Sequence, residues 1–484
     1  MGESIPNWLL QRTYLTPERI ALVFNEQSWT FRELNEEVKN LANGLSAFDI
    51  NPSSRVAILM KNRPNTVLTI HALQQLGVET LFLNNRLTAT EISYQLQDSG
   101  TNILIYDQDF QSLVKSFDLE LKTIGYDEIT DHQSDFNQRK EHNFDDICSI
   151  MYTSGTTGNP KGVMQTYGNH WWSAIGSSLN LGLELNDAWL CAVPIFHISG
   201  LSILMRSVIY GIPVYLMEQF DEQEAVTLLQ SGNITIMSVV TVMLNRILST
   251  IGGEKLHPHF RCMLLGGGPA PLPLLEECQK KNIPVFQTYG MTETASQIIT
   301  LAPEYSIEKI GSAGKPLFPA QVKIVGENGI TMLNGEHGEI VVKGPNVMKG
   351  YLNHDHAFVD GWLYTGDIGY LDSEGFLYVL DRRSDLIVSG GENIYPAEIE
   401  SVLMEHDHVI EAGVVGVANE AWGQVPYAFI VTNSPIEESN LIDFCRDRLA
   451  AYKVPKKFFQ IESMPRNSSN KLMRKKLMEY ISHK

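Results

Sequence analysis

The sequence predicts a large α/β region of largely parallel, helix-covered sheets, followed by a compact α+β module. Three observations predict it. Short β-rich runs alternate with helical patterns over most of the first 300 residues, as parallel strands joined by crossover helices require. From Gly311 to Gly344 the texture changes to short strands with Gly-rich turns (VKIVGENGI, GEIVVKG), which implies a small β-barrel or an antiparallel appendage. After Leu380 it changes again, to strands and two helices over about a hundred residues, a usual domain size. A length of 484 residues suits two to four domains with real cores.

In chain order, Arg55–Lys61 reads as a strand, Asn65–Leu76 as a helix, Thr80–Asn84 as a strand, Thr90–Asp98 as a helix and Asn102–Tyr106 as a strand. Further strands are expected at Ile147–Tyr152, Trp189–Val193, Val214–Met217, Ile234–Val239, Cys262–Leu265 and Val285–Gln287. So many strands favour two sheets over one. In the C-terminal module, Asp385–Ser389, Val414–Val417 and Ala428–Thr432 read as strands, and Pro396–Glu405 and Leu441–Ala450 as helices. The domain boundary is placed near Asp381, dividing 1–380 from 381–484.

Hydrophobic residues make up 43% and charged residues 19%, a soluble globular profile. The net charge of −19 excludes broad nucleic-acid binding. From Arg446 to Lys484, however, eleven Lys/Arg face three Asp/Glu, so a tail of +8 follows a body of −27. The five cysteines are too few and too scattered for a disulfide framework or a close-spaced zinc site, so reduced thiols are expected. The start, MGESIPNW, has no signal-peptide pattern, and Pro6 stands where a myristoylation motif needs Ser or Thr. The uncharged stretches Ala188–Met205 and Ala225–Asn245 contain turn residues and read as buried strand and helix pieces, not membrane spans. A cytoplasmic protein is expected.

Tyr152-Thr-Ser-Gly-Thr-Thr-Gly-Asn-Pro-Lys-Gly162 follows the apolar run ICSIM. Three glycines let backbone N–H groups converge, and four hydroxyls and an ammonium add donors, as a triphosphate requires. It is not a Walker A loop, because Asn-Pro separates Gly158 from Lys161. The motif resembles, over its whole length, the phosphate loop of the adenylate-forming enzymes (acyl-CoA synthetases, luciferases, non-ribosomal adenylation domains). The resemblance implies a large N-terminal domain of two helix-covered sheets plus a β-barrel, and a small mobile α+β C-terminal domain. It also implies ATP, Mg²⁺ and coenzyme A as cofactors or co-substrates. Thr153, Ser154, Gly155, Thr156, Thr157, Gly158 and Lys161 would hold the phosphates.

The resemblance continues to the C-terminus. In Thr288-Tyr289-Gly290-Met291-Thr292-Glu293, which would bind nucleotide and acid, Thr292 would face phosphate and Glu293 would hold Mg²⁺. Mg²⁺ often takes only one or two carboxylates plus substrate phosphates. Asp367 and Arg382 match the ribose-binding pair, and Asp381 matches the hinge about which the small domain rotates. Lys471, preceded by Asn470 where the family usually has Gly, would contact the substrate carboxylate and the α-phosphate. Gly390-Gly391 either lines the pantetheine tunnel after rotation or forms an ordinary turn.

The acid pocket is expected around Pro194-Ile-Phe-His197-Ile-Ser199-Gly200. Amino-acid-activating relatives carry Asp where His197 aligns, so an α-amino acid is disfavoured. If Ser199–Ile209 is helical, Ser199, Ile203 and Arg206 share a face. Arg206 then either reaches a second substrate carboxylate or snorkels at a helix end. Gly266, Gly267 and Gly268 would leave room for a flat aryl ring. GGGPAPLPLLEEC, YGMTETASQIITLAPE and GSAGKPLF resemble one branch of the family, the o-succinylbenzoate–CoA ligases of menaquinone biosynthesis, more than a general acyl-CoA synthetase. The expected partners are therefore an aryl keto-dicarboxylic acid, ATP and CoA, with no nucleic acid and no membrane span; homo-oligomerisation stays open. Other aryl- or fatty-acyl-CoA ligases, and a stand-alone enzyme loading a carrier protein, remain alternatives.

Overall fold

The run Arg55–Leu59 is buried from Val56 onward and takes parallel neighbours on both sides, the place a continuous apolar run demands. It lies within a seven-stranded sheet ordered Lys122–Gly125, Ile103–Tyr106, Arg55–Leu59, Glu79–Phe82, Ile147–Ser154, Pro160–Thr166 and Gly350–Tyr351. The first five strands are mutually parallel and the last two antiparallel. The expected helices follow in place. Pro64–Leu76 opens on Pro and ends at Gly77 with φ +75°. Ala89–Asp98 opens on a capping box between Thr88 and Glu91. The computed structural model describes residues 3–129, 136–154, 160–267, 270, 272–326, 329–354, 358–381, 387–394, 396–465, 472 and 474–482.

The second sheet has a parallel half, formed by Ile20–Phe24, Val214–Leu216, Trp189–Cys191, Ile236–Val240, Cys262–Gly266 and Val285–Met291. It continues antiparallel through Ser296–Leu301, Ser312–Pro316, Leu377–Asp381, Trp362–Leu371, Gly338–Lys343 and Gln321–Val325. The Gly-rich region read from Gly311 onward thus extends the edge of this sheet. Alternate residues of the first sheet divide its faces: Val56 and Ile58 enter the core shared with the second sheet, while Ala57 and Leu59 face another apolar cluster. Ala450 of the C-terminal module packs into that second cluster.

The C-terminal module holds a five-stranded sheet: Glu392–Ile394, Ile387–Ser389, Gly423–Thr432 and Val409–Asn419, with Lys457–Gln460 parallel to Gly423–Thr432. Helices Pro396–Met404, Glu438–Arg446 and Arg474–Ser482 accompany it. The two uncharged stretches resolve into separate strands and helices, and among the described residues no helix is long and apolar enough to cross a membrane. All five cysteines are buried and free, and burial pushes each thiol up to about 12.

Candidate active site

Thr153 ends the strand that enters the phosphate loop, and Lys161 pairs with it in register on the strand that leaves. Gly155, Thr156, Thr157 and Gly158 lie outside the described residues, as does the side chain of Ser154. The hydroxyls of Thr153 and Tyr351 both donate to Glu293 Oε1, at 3.4 and 2.8 Å. Among the described residues Glu293 Oε2 receives no hydrogen bond, and no cluster of three His, Cys, Asp or Glu exists. One oriented carboxylate fits a hard cation that draws most of its ligands from nucleotide phosphates and water. The Lys161 ammonium lies 5.5 Å from the centre of the Tyr351 ring.

Strand alternation sorts the Thr288–Met291 segment. Thr288, Gly290 and Met291 line a cavity of about 260 Å³ together with Thr292 and Glu293. Tyr289 points to the other face, where its hydroxyl donates to Asp367 Oδ2 at 2.7 Å. Asp367 is 5% exposed and does not line the cavity. Arg382 and Lys471 lie outside the described residues, and so does the side chain of Asp381.

The acid end of the cavity is built on helix Ile198–Tyr210, directly after His197. Ser199, Ser202 and Arg206 line the cavity, whereas Ile203 turns into the core. The expected face is therefore corrected by one position, with Ser202 replacing Ile203. Gly266 and Gly267 form a wall without side chains; Gly267 has φ +89°. Gly268 lies outside the described residues.

Arg206 is 1% exposed, which rules out snorkelling. Its guanidinium donates to Ser173 Oγ at 3.4 Å and lies 5.4 Å from the centre of the Trp189 ring. Its Nε has no partner and no carboxylate pairs with it among the described residues. Burial lowers its pKa, and burial together with the Arg206 charge pushes His170 down to about 3. Among the described residues this cation has no counter-ion, and a buried cation so placed is costly.

The C-terminal module closes the other side. Gly390 and Gly391, at φ +56° and +87°, form the turn between Ile387–Ser389 and Glu392–Ile394, and Gly391 reaches the cavity wall beside Val240. The pair forms the tight turn, and Gly391 alone of the two lines this cavity. Glu392 accepts from His197 Nε2 at 3.0 Å and pairs with Arg86. Burial by itself would raise the Glu392 carboxyl, but His197, Arg86 and Lys453 outweigh it and hold it at about 2. Lys453, also in the lining, is buried and bonds Glu91 and Glu398 at 2.7 Å each. Burial would lower its ammonium, yet Glu398, Tyr452 and Glu91 raise it. Burial raises Glu398, the carboxylate in excess around one ammonium.

Sequence reasoning missed Ser202, Tyr351, Glu392 and Lys453. Glu392 adjoins the glycine pair and Lys453 stands in the basic tail, but only contacts between distant segments mark them out. A second cavity of about 610 Å³ shares His197, Ser199, Val240, Gly391 and Glu392 with the first and is also lined by Arg246 and Trp422.

Residues 10–352 match the family described as AMP-binding enzyme, and residues 398–471 match its C-terminal domain. A 2-succinylbenzoate–CoA ligase of Geobacillus sp. (strain WCH70) is 54% identical, over 99% of this chain and 98% of its own length. A double mutant of o-succinylbenzoate CoA synthetase from Bacillus subtilis, bound with its product analogue OSB-NCoA, superposes with a TM-score of 0.94 at 50% identity, covering 99% of this chain and 98% of that one. The Bacillus subtilis enzyme in complex with ATP and magnesium ion scores 0.78 at the same identity, covering 98% and 100%. At equal identity this chain superposes more closely on the product-analogue complex than on the complex with ATP and magnesium ion.

Proposed function

The chain belongs to the AMP-binding enzyme family, and on that premise we propose that it is the ATP-dependent ligase that joins 2-succinylbenzoate to coenzyme A, the step of menaquinone biosynthesis its motifs resemble. The observation that carries the substrate is Arg206, a buried guanidinium with no counter-ion among the described residues, in the wall of a cavity that also has a glycine wall. The acid has two carboxylates: one reacts, and the other supplies the missing charge. Full-length relatives at about half identity support the same acid.

In the first half-reaction a carboxylate oxygen attacks the α-phosphorus of ATP, the α–β phosphoanhydride bond breaks and pyrophosphate leaves. A carboxylate is a poor electrophile, and the acyl adenylate so formed has a good leaving group. The phosphate loop from Thr153 to Lys161 holds the phosphates and Thr292 faces them; the family resemblance gives the ribose to Asp367 and Arg382, although Asp367 lies beside Tyr289, outside the cavity lining. Lys471 stabilises charge on the α-phosphate, an interaction worth about 3–4 kcal/mol in comparable sites. Glu293 would hold Mg²⁺, which when bound would neutralise phosphate charge. His197, Ser199, Met291 and the 266–268 glycines bound the acid.

Rotation at Asp381 then withdraws Lys471 and brings in Gly390–Gly391. The thiolate of coenzyme A attacks the acyl carbon and AMP leaves. The described arrangement, with Glu392 against His197 and Arg86, suits this second half. ATP–pyrophosphate exchange across a panel of 2-succinylbenzoate, benzoates and octanoate tests the reading. Exchange driven by 2-succinylbenzoate is expected; turnover of another acid with 2-succinylbenzoate inert would overturn the substrate.

A further inference from the structure

We propose that Gln165 is a positioning residue for the turn that carries Glu293, and that Ser149 and His170 aim it. The proposal deepens the reading of Glu293 as the metal-side carboxylate. Glu293 sits on the single 3₁₀ turn Thr292–Thr294, followed by Ala295 and Ser296 at φ +52° and +96°. The turn closes on itself through the Ala295 amide to the Thr292 carbonyl and through the Thr294 hydroxyl, and four successive carbonyls are also gripped from outside it. Gln165 Nε2 donates to the carbonyl of Thr292, and the Met348 amide to that of Glu293 at 2.8 Å. Asn346 Nδ2 donates to the carbonyl of Thr294 at 3.0 Å, and Ser173 Oγ to that of Ala295 at 2.6 Å.

Gln165 differs from the other three in its origin. It lies on strand Pro160–Thr166, which leaves the phosphate loop, and pairs in register with Ser149 on the strand that enters it. Those two strands therefore hold the turn at two points, Thr153 on the Glu293 carboxylate and Gln165 on the Thr292 carbonyl. This sets the separation between phosphate loop and carboxylate.

The amide is oriented by a chain of buried donors. Ser149 Oγ donates to Gln165 Oε1 at 2.8 Å and lies 2.8 Å from His170 Nε2. A hydroxyl has one proton to give; with it committed to Gln165, Ser149 accepts from a neutral His170 protonated on Nε2. Reversed, the amide would set its oxygen against the Thr292 carbonyl. Ser149, Gln165 and His170 are each at most 2% exposed, so water does not replace these bonds.

Gln165→Met keeps the length and removes the donor, while three carbonyl anchors remain. In the full chain, calorimetry should show the affinity for Mn²⁺ with a non-hydrolysable ATP analogue falling about tenfold, the usual cost of losing an outer-shell partner. The half-saturating Mg²⁺ for ATP–pyrophosphate exchange should rise in parallel. Thioester formation from supplied acyl adenylate and CoA should stay within about twofold, because pyrophosphate has already left and only the α-phosphate remains, in the departing AMP. Unchanged metal affinity, or equal loss in both half-reactions, would overturn the proposal. Ser149→Ala, which keeps the amide but loses its aim, should show a smaller loss of the same kind. If the wild-type chain gives no acid-dependent exchange, the ligase reading fails, and the calorimetry still decides the role of Gln165.

Discussion

Arg206 combines a cost to the fold with a use for the ligand. Its guanidinium is desolvated, has an unpartnered Nε and meets no carboxylate among the described residues. Arg206→Met should therefore stabilise the ligand-free protein by about 1–3 kcal/mol, read as a higher melting temperature. The same variant should lose about 3 kcal/mol of interaction with the acid, roughly a 100-fold drop in kcat/KM for 2-succinylbenzoate. A residue with a purely structural role would lower both quantities. Helical spacing brought Ser199 and Arg206 to one face from sequence alone. It put Ile203 on that face rather than Ser202, although i+3 and i+4 lie on the same side of a helix. Packing against the shared core decides for Ser202 at the cavity.

At the scale of elements, helix Ile198–Tyr210 aims the acid pocket, and its entry depends on Gly200. A Cβ added there would lie 2.2 Å from the carbonyl oxygen of Pro194. Gly200→Ala should cost about 1–3 kcal/mol through backbone displacement, lowering the melting temperature, and should raise KM for the acid by moving Ser199 and Arg206. The central strands and helices were legible because burial on both faces writes continuous apolar runs, and because the Pro64 start and the Thr88/Glu91 box mark helix entries. Val409–Asn419 and Gly423–Thr432 run beyond the β-rich stretches read from sequence, since their ladder recruits Gly, Ala, Asn and Gln residues of weak strand preference. Lys457–Gln460 and Glu392–Ile394 are too short to announce themselves and exist through pairing with neighbours.

At the scale of the whole molecule, the basic tail acquires a specific task in Lys453. It joins Glu91 of the N-terminal region to Glu398 of its own module across 362 residues of sequence. Lys453→Met would leave those two carboxylates facing one another, and losing one side of a buried ionic group costs about 3–5 kcal/mol. Thioester formation from supplied acyl adenylate should fall at least about tenfold, while ATP–pyrophosphate exchange stays nearly unchanged if the proposed rotation at Asp381 separates the two steps. The charge asymmetry was visible in the sequence, but which of eleven cations crosses to the acidic body was not, since that depends on how the modules dock. Docking also decides that Gly391 and Glu392 complete a cavity begun by His197 and Arg206. The central claim is that this cavity selects a dicarboxylic acid for transfer to coenzyme A. It is tested most directly by supplying ATP, CoA and an equimolar mixture of 2-succinylbenzoate with its two analogues that each lack one carboxylate, and weighing the thioesters by mass spectrometry. The thioester of 2-succinylbenzoate should dominate by about 100-fold, the worth of one buried charge-assisted contact; comparable yields from a monocarboxylic analogue, or no thioester of 2-succinylbenzoate at all, would contradict the account.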